Sequence, residues 1–359
     1  MATREEIEML IQRGYYDEAL AGIEDLEDPI EKVELLNDLA VAIHRKGGPE
    51  EWIPDIMEDA IYIAKKLKDP AHKATVYAII AATLGILGYE DDAMDFFGRA
   101  LDETDDIGSP IEKGIVLSTI AYHLTLCGHP ESALDVFNVA FDTIIGAEVN
   151  YTHKVEGIVR IGELMEMAGD ALPAEKALDF YRVAFDIFDK LHVNQRAAVV
   201  EKKIELAKTV YDVGLPEIRQ SLLEGRYHYA IALIEKKYSG TARLIGELEV
   251  ALWMRRINNI EYLDVVDKAF ERCQNPVFTE ANVQKIARLL TELGSLGRAL
   301  KFAREIKDPR KRSEALKAIA LELAKSQEFN EAREVIKDIP DPQVKAEALT
   351  EVATMEEKL

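Results

Sequence analysis

The chain has 359 residues and a net charge of −22, from 44 Lys+Arg against 66 Asp+Glu. Hydrophobic residues make up 48%, enough for a packed interior, while aromatics stand at 7% with 20 Gly and 12 Pro, which argues against an all-β sandwich and against long disordered tails. So acidic a chain repels a phosphate backbone on average, so nucleic acid is not the expected partner.

The first residues, Met1-Ala2-Thr3-Arg4-Glu5-Glu6, are charged and helix-forming, and no apolar run follows them, so no secretory signal is read there. The longest apolar stretch, residues 74–88, falls short of the roughly 20 residues that a spanning helix needs. The expectation is a soluble, cytoplasmic protein with no membrane partner. Cys127 and Cys273 are too few and too isolated for a disulfide framework or a thiolate metal site, and each is expected to be an inert, buried thiol. Scarce Asn and Gln beside plentiful Glu and Lys hint at a heat-adapted source.

In chain order, the same helix-start signal returns again and again. It stands at Asp28-Pro29, Asp69-Pro70, Ser109-Pro110, Asn275-Pro276, Asp308-Pro309 and Asp341-Pro342, with Asn150-Tyr151 and Ser239-Gly240 in equivalent places. The side-chain oxygen of the cap takes an orphan N–H, and proline loses no hydrogen bond at the first helical position. Eleven residues past the Pro-equivalent anchor comes a small residue each time: Ala40, Ala81, Ala121, Gly162, Ala251, Ala287, Ala320 and Ala353. A small residue at one helical position lets a neighbouring helix approach closely.

The units also align with one another. A shift of 40 carries Ala81, Leu84, Gly88, Ala93, Phe97 and Ala100 onto Ala121, Leu124, Gly128, Ala133, Phe137 and Ala140. The next copy keeps Gly162, Met165 and Gly169 and, after a three-residue insertion, Ala177, Tyr181 and Ala184. Early units run 40 or 41 residues and the last two run 33. No sustained period-2 run or Asn-Gly hairpin signal occurs, so each unit is predicted to be two antiparallel helices joined by a short turn with a left-handed glycine. The predicted fold is all-α, a right-handed α-α superhelix in which each unit buries its apolar face against its neighbours.

These small–aromatic–Gly–Ala–aromatic–Ala positions resemble the tetratricopeptide repeat family, most closely over residues 70–190 and 276–345. The turns Gly14-Tyr15-Tyr16-Asp17-Glu18-Ala19 and Gly225-Arg226-Tyr227-His228-Tyr229-Ala230 are similar to that family's inter-helix turn. Two departures stand out. Tyr77 and Leu117 replace the family's early Trp, and the 40-residue spacing exceeds the family's 34. The resemblance implies a protein-interaction scaffold whose first helices line a concave groove, with a protein or peptide as partner. Groove positions in the two strongest units are Thr75, Ala78, Ala82 and Ile86, then Ser118, Tyr122, Thr125 and Leu126, all uncharged.

Residues 195–275 fit the repeat least well. Gly214-Leu215-Pro216-Glu217 is the clearest break, and the segment after it resembles the N-terminus. The expected organisation is an N-terminal array over 1–213 with longer repeats and a C-terminal array over 214–359 with shorter ones and a capping last helix. One continuous superhelix with a local irregularity is the other reading.

Charge is uneven. Residues 283–325 hold 11 basic and 5 acidic residues, a net of +6, with Arg298, Lys301, Arg304, Arg310, Lys311 and Arg312 around one inter-helix turn. This stretch is read either as a solvated face or as a docking patch for an acidic partner, including the acidic half of a second copy. A basic residue also recurs three positions past the anchor: Lys32, Lys73, Lys113, Lys154, Arg243, Arg312 and Lys345. A cation in a helix's first turn opposes the macrodipole, so each needs a partner, either the preceding helix's last carbonyls, a nearby carboxylate or an acidic ligand.

Catalytic signals are slight. The acidic run at residues 102–106 superficially resembles a magnesium-binding helix of terpenoid synthases, with no second such motif opposite it. The seven histidines show no metalloprotease spacing, and no phosphate-binding glycine loop is present. The expectation is a non-enzymatic scaffold or adaptor with no metal and no cofactor. A self-associating regulatory subunit is the alternative, and an enzyme using residues 102–106 the remote one.

Overall fold

The computed structural model describes residues 3–273 and 277–358, and among these twenty α-helices and two short 3-10 turns form with no strand. The chain divides into two compact units, 1–204 and 205–359. The first holds the pairs α1 (Arg4–Arg13) and α2 (Tyr16–Glu24), α3 (Pro29–Lys46) and α4 (Ile53–Lys66), α5 (Pro70–Ile86) and α6 (Glu90–Glu103), α7 (Pro110–Leu126) and α8 (Pro130–Gly146), and α9 (Tyr151–Ala171) and α10 (Ala174–Lys190). α11 (Asn194–Thr209) contains the division, ahead of the Gly214-Leu215-Pro216 break. The second unit holds α12 (Pro216–Leu223) and α13 (Tyr227–Lys237), α14 (Gly240–Arg256) and α15 (Tyr262–Arg272), α16 (Glu280–Glu292) and α17 (Leu296–Glu305), α18 (Pro309–Lys325) and α19 (Phe329–Lys337), and then α20 (Pro342–Glu356).

The caps work as their chemistry predicts. Asp28, Asp69, Ser109, Asn150, Asp308 and Asp341 each accept a backbone N–H two or three residues on. Ser239 does not: it precedes α14 without a side-chain cap bond. Asn275 and Pro276 lie outside the described residues, and α16 begins later, at Glu280, with Thr279 accepting from the Asn282 N–H. Gly88 and Gly128 hold φ of +88° and +87°, the left-handed turn a Cβ would strain. Gly169, expected in the same turn role, lies inside α9, which is extended to Ala171. The Tyr181 ring occupies the space beside it: a Cβ on Gly169 would come within 2.6 Å of that ring. The insertion therefore lengthens a helix, and the glycine serves packing.

Ala40, Ala81, Ala121, Ala251, Ala287 and Ala320 are all essentially buried, as is Gly162, whereas Ala353 on α20 is exposed. First helices pack directly on the first helices of the next pair: α3 on α5, α5 on α7 and α7 on α9, and in the other unit α14 on α16, α16 on α18 and α18 on α20. Successive second helices make no comparable contact with each other. The first helices are thus the tighter, inner layer of each unit, and the second helices the splayed outer layer.

The recurring first-turn cation ties the two layers together. Nζ of Lys32, Lys154 and Lys345 donates to the carbonyls of Glu24, Ile145 and Lys337, each at the C-terminal end of the preceding second helix, at 2.6–2.8 Å. Lys73 pairs with Glu103 at 2.5 Å, Lys113 with Asp105 at 2.7 Å and Arg243 with Glu235 at 2.7 Å. The guanidinium of Arg312 reaches the Ile306 carbonyl at 3.5 Å. A cation that is unfavourable at its own N-terminus neutralises the negative end of a neighbouring helix, so the ladder is structural. Replacing Lys154 with Met should lower stability by roughly 0.5–1 kcal/mol in denaturant unfolding, and an unchanged midpoint would remove this role.

Candidate functional site

The inner face follows from helical spacing. Positions 5, 9, 12 and 16 past the anchor fall on one stripe. On α18 they are Glu314, Ala318, Leu321 and Lys325, and all four line a groove of about 600 Å³ between α16 and α18. Its opposite wall holds Gln284, Arg288, Thr291 and Glu292, and Ile306 and Ala315 complete the apolar floor. Charges of both signs rim it. Glu292 is paired with Arg256 at 3.2 Å and Lys325 with Glu322 at 2.5 Å, while Lys311 and Glu314 form no ion pair among the described residues.

In the first unit the same stripe reads Thr75, Ile79, Ala82 and Ile86 on α5, and Ile115, Thr119, Tyr122 and Leu126 on α7. Of the residues expected to line a groove there, Thr75, Ile86, Tyr122 and Leu126 are partly exposed on this stripe. Ala82 also falls on the stripe but is buried. Ala78, Ser118 and Thr125 are buried too, one position round the helix from the stripe, so they pack the array and present nothing to a ligand. Close packing explains it: a Cβ on Gly85 would lie 2.5 Å from the Cys127 sulfur. The hydroxyls of Thr75, Ser118, Thr119 and Thr125 donate to the carbonyl four residues back, which leaves this face effectively apolar. Ile79 and Thr119, which sequence reading left out, belong to the stripe by spacing alone. The flanking helices carry charge at the same register: Glu34, Asp38 and Arg45 on α3, and Glu156, Arg160 and Glu163 on α9.

The basic residues of the second unit are partly spent. Arg298 pairs with Asp267 at 2.7 Å and lies over the Phe270 ring, Arg304 pairs with Asp338 at 2.6 Å, and Arg312 meets a carbonyl. Lys301, Arg310 and Lys311 are exposed and form no ion pair among the described residues. In the acidic run at 102–106, Thr104 is buried, Glu103 meets Lys73 and Asp105 meets Lys113. Among the described residues no group of three or more His, Cys, Asp or Glu is placed to hold a metal ion, and no helix is long and apolar enough to cross a membrane. Both cysteines are half-buried. Burial pushes the Cys127 thiol up to about 11, which leaves it protonated and unreactive near neutral pH.

Two layers of helix pairs, with capped starts and left-handed glycine turns, make this a divergent helical-repeat α-solenoid protein. It is 67% identical to Ton1535 from Thermococcus onnurineus NA1, whose crystal structure it matches with a TM-score of 0.94 over 99% of this chain and 100% of that one, and it belongs to the same family as Ton1535. A Rap protein complexed with competence and sporulation factor is 14% identical over 97% of this chain and 98% of that one, with a TM-score of 0.28. A circular tandem repeat protein is 13% identical over 99% of this chain and 83% of that one, with a TM-score of 0.22. At those scores neither bears on what this chain does. No family model matches the chain, and no curated protein matches it.

Proposed function

We propose that the chain is a non-enzymatic interaction scaffold that binds a peptide or a partner helix on its inner layer of first helices. The observation that carries this reading is the groove between α16 and α18, where the inner stripe parts to expose an apolar floor between charged rims. A partner segment would seat apolar side chains over Ala318 and Leu321 and set its register against Lys311 and Glu314. Partners captured from the source organism's extract by the full chain should be lost with Leu321→Asp and retained with Tyr122→Asp. Equal recovery with all three proteins would sink the groove.

A second reading, self-association, is favoured by the division of charge. Residues 1–204 carry 19 Lys+Arg against 40 Asp+Glu, a net of −21, and residues 205–359 carry 25 against 26, a net of −1. Lys301, Arg310 and Lys311, left without ion pairs, would meet the acidic unit of a second copy. Sedimentation at low salt and high concentration tests this, and a monomer there removes it.

A further inference from the structure

Where the outer helices splay, clefts open between them, and one differs from the rest. The cleft between α13 and α15 is lined by charge, including His228, Glu235, Asp264 and Arg272. The cleft between α8 and α10, about 390 Å³, has an apolar floor and mostly apolar walls, its polar lining being Asn138 and the Asp186–Lys190 ion pair. Ile158, Ile161 and Met165 of α9 are buried beneath it. Phe141 and Ile145 form one wall and Val183 and Leu191 the other, with Ile145 46% and Val183 41% exposed. Those side chains recur at one-turn and two-turn spacing along two helices, so the trough between them matches the ridge of a third helix.

What surrounds the trough selects its occupant. α8 has Glu131, Asp135 and Asp142 and no Lys or Arg. The three cations of α10 are already used: Lys176 pairs with Glu131, Arg182 with Asp179 and Lys190 with Asp186. Asp135, Asp142, Glu175 and Asp189 remain exposed with no ion pair among the described residues. Four carboxylates without ion pairs on the two helices that wall the trough, with Lys190 neutralised by Asp186 and the unit at a net charge of −21, leave an anionic field around an apolar floor. We infer that the α8–α10 cleft docks a cationic amphipathic helix of another protein, with its apolar ridge between Phe141 and Val183 and its Lys or Arg residues over Asp135, Asp142, Glu175 and Asp189. This surface lies on the outer layer and is independent of the inner groove.

The test uses the full-length chain and two synthetic 18-residue helices of one pattern, one built from Leu and Lys and the other from Leu and Glu. The Lys helix should bind at least tenfold more tightly than the Glu helix. Phe141→Asp and Val183→Asp, on opposite walls, should each weaken it by tenfold or more while circular dichroism and the melting midpoint show the fold retained. Tyr122→Asp and Leu321→Asp, on the inner faces, should leave it unchanged. Equal binding of the two helices, or binding that neither wall variant weakens, would overturn the docking site and leave only a general attraction to acidic surface. A chain that dimerises without peptide, and becomes monomeric with Phe141→Asp, would assign the cleft to a second copy instead.

Discussion

Replacing Trp253 with alanine should cost about 3–5 kcal/mol, the largest loss expected from a single truncation in the second unit. The side chain is 1% exposed on α14, a helix with twelve of its seventeen residues buried. Nothing can refill the space, because α14 is held between α13, α15 and α16. Trp253→Phe should cost much less. The indole N–H is buried with no hydrogen-bond partner, so removing it relieves an unmet donor and offsets part of the lost volume. Denaturant unfolding followed by circular dichroism, with amide exchange along α14, separates the two variants. Similar losses for Ala and Phe would mean that the N–H has a partner in solution.

The second large effect concerns Glu249 on the same helix. Its carboxylate is 1% exposed, 2.6 Å from the Lys285 ammonium, and accepts from the Asp212 backbone N–H at 3.2 Å. Burial is the dominant influence and raises its pKa from 4.5 to about 7, against the pull of Lys285. Between pH 4.5 and 7 the folded chain therefore keeps a proton that the unfolded chain has released. Stability from this group falls as pH rises through that window, by about 3 kcal/mol in all, and is flat above it. The depressed carboxylates Glu131, Glu280, Asp308 and Glu347 act with the opposite sign, and below about pH 4.5. Burial lowers the His123 pKa to about 4, so its contribution rises with pH over much of the same window, and the test is the difference between the two proteins. Glu249→Gln should gain stability relative to the parent as pH rises from 5 to 7.5, since an amide can still accept from both partners, and a difference that does not change with pH would show that Glu249 does not titrate in that range.

The two effects share a cause that the sequence hides. α14 carries Glu247 and Glu249, and a carboxylate taken by itself is a solvent-facing residue. Both are 1% exposed because α13, α15, α16 and the turn after α11 close over them, and Arg243 and Lys285 supply the compensating charge. No spacing rule within α14 indicates which side the next repeat will cover.

What was legible was local. An Asp, Ser or Asn before Pro binds N–H groups two or three residues away, so its helix start can be read from a handful of letters. A glycine at φ near +88° is demanded by its own turn. The alanine eleven residues past the anchor recurs because identical contacts recur, and repetition exposed the two-helix unit and its resemblance to the tetratricopeptide family. That each first-turn cation needs a partner could be read in advance, since its cost is set by its own helix, although which partner could not.

What was not legible depends on which surfaces meet. Thr75, Ile86, Tyr122 and Leu126 stay on the accessible stripe while Ala78, Ser118 and Thr125 are buried, a difference of one residue in rotation that only the packing angle sets. Gly169 kept its place in the alignment but changed its role when α9 grew longer and Tyr181 settled on it. That the net charge of −22 gathers toward the N-terminal half is visible in the letters; that it belongs to one compact unit, residues 1–204, depends on where the packing divides. Capping and turn energies act within a turn of helix, so they are written in neighbouring letters. Burial, groove width and the field around a cleft arise between helices that are distant in sequence, so they exist only once the helices have stacked.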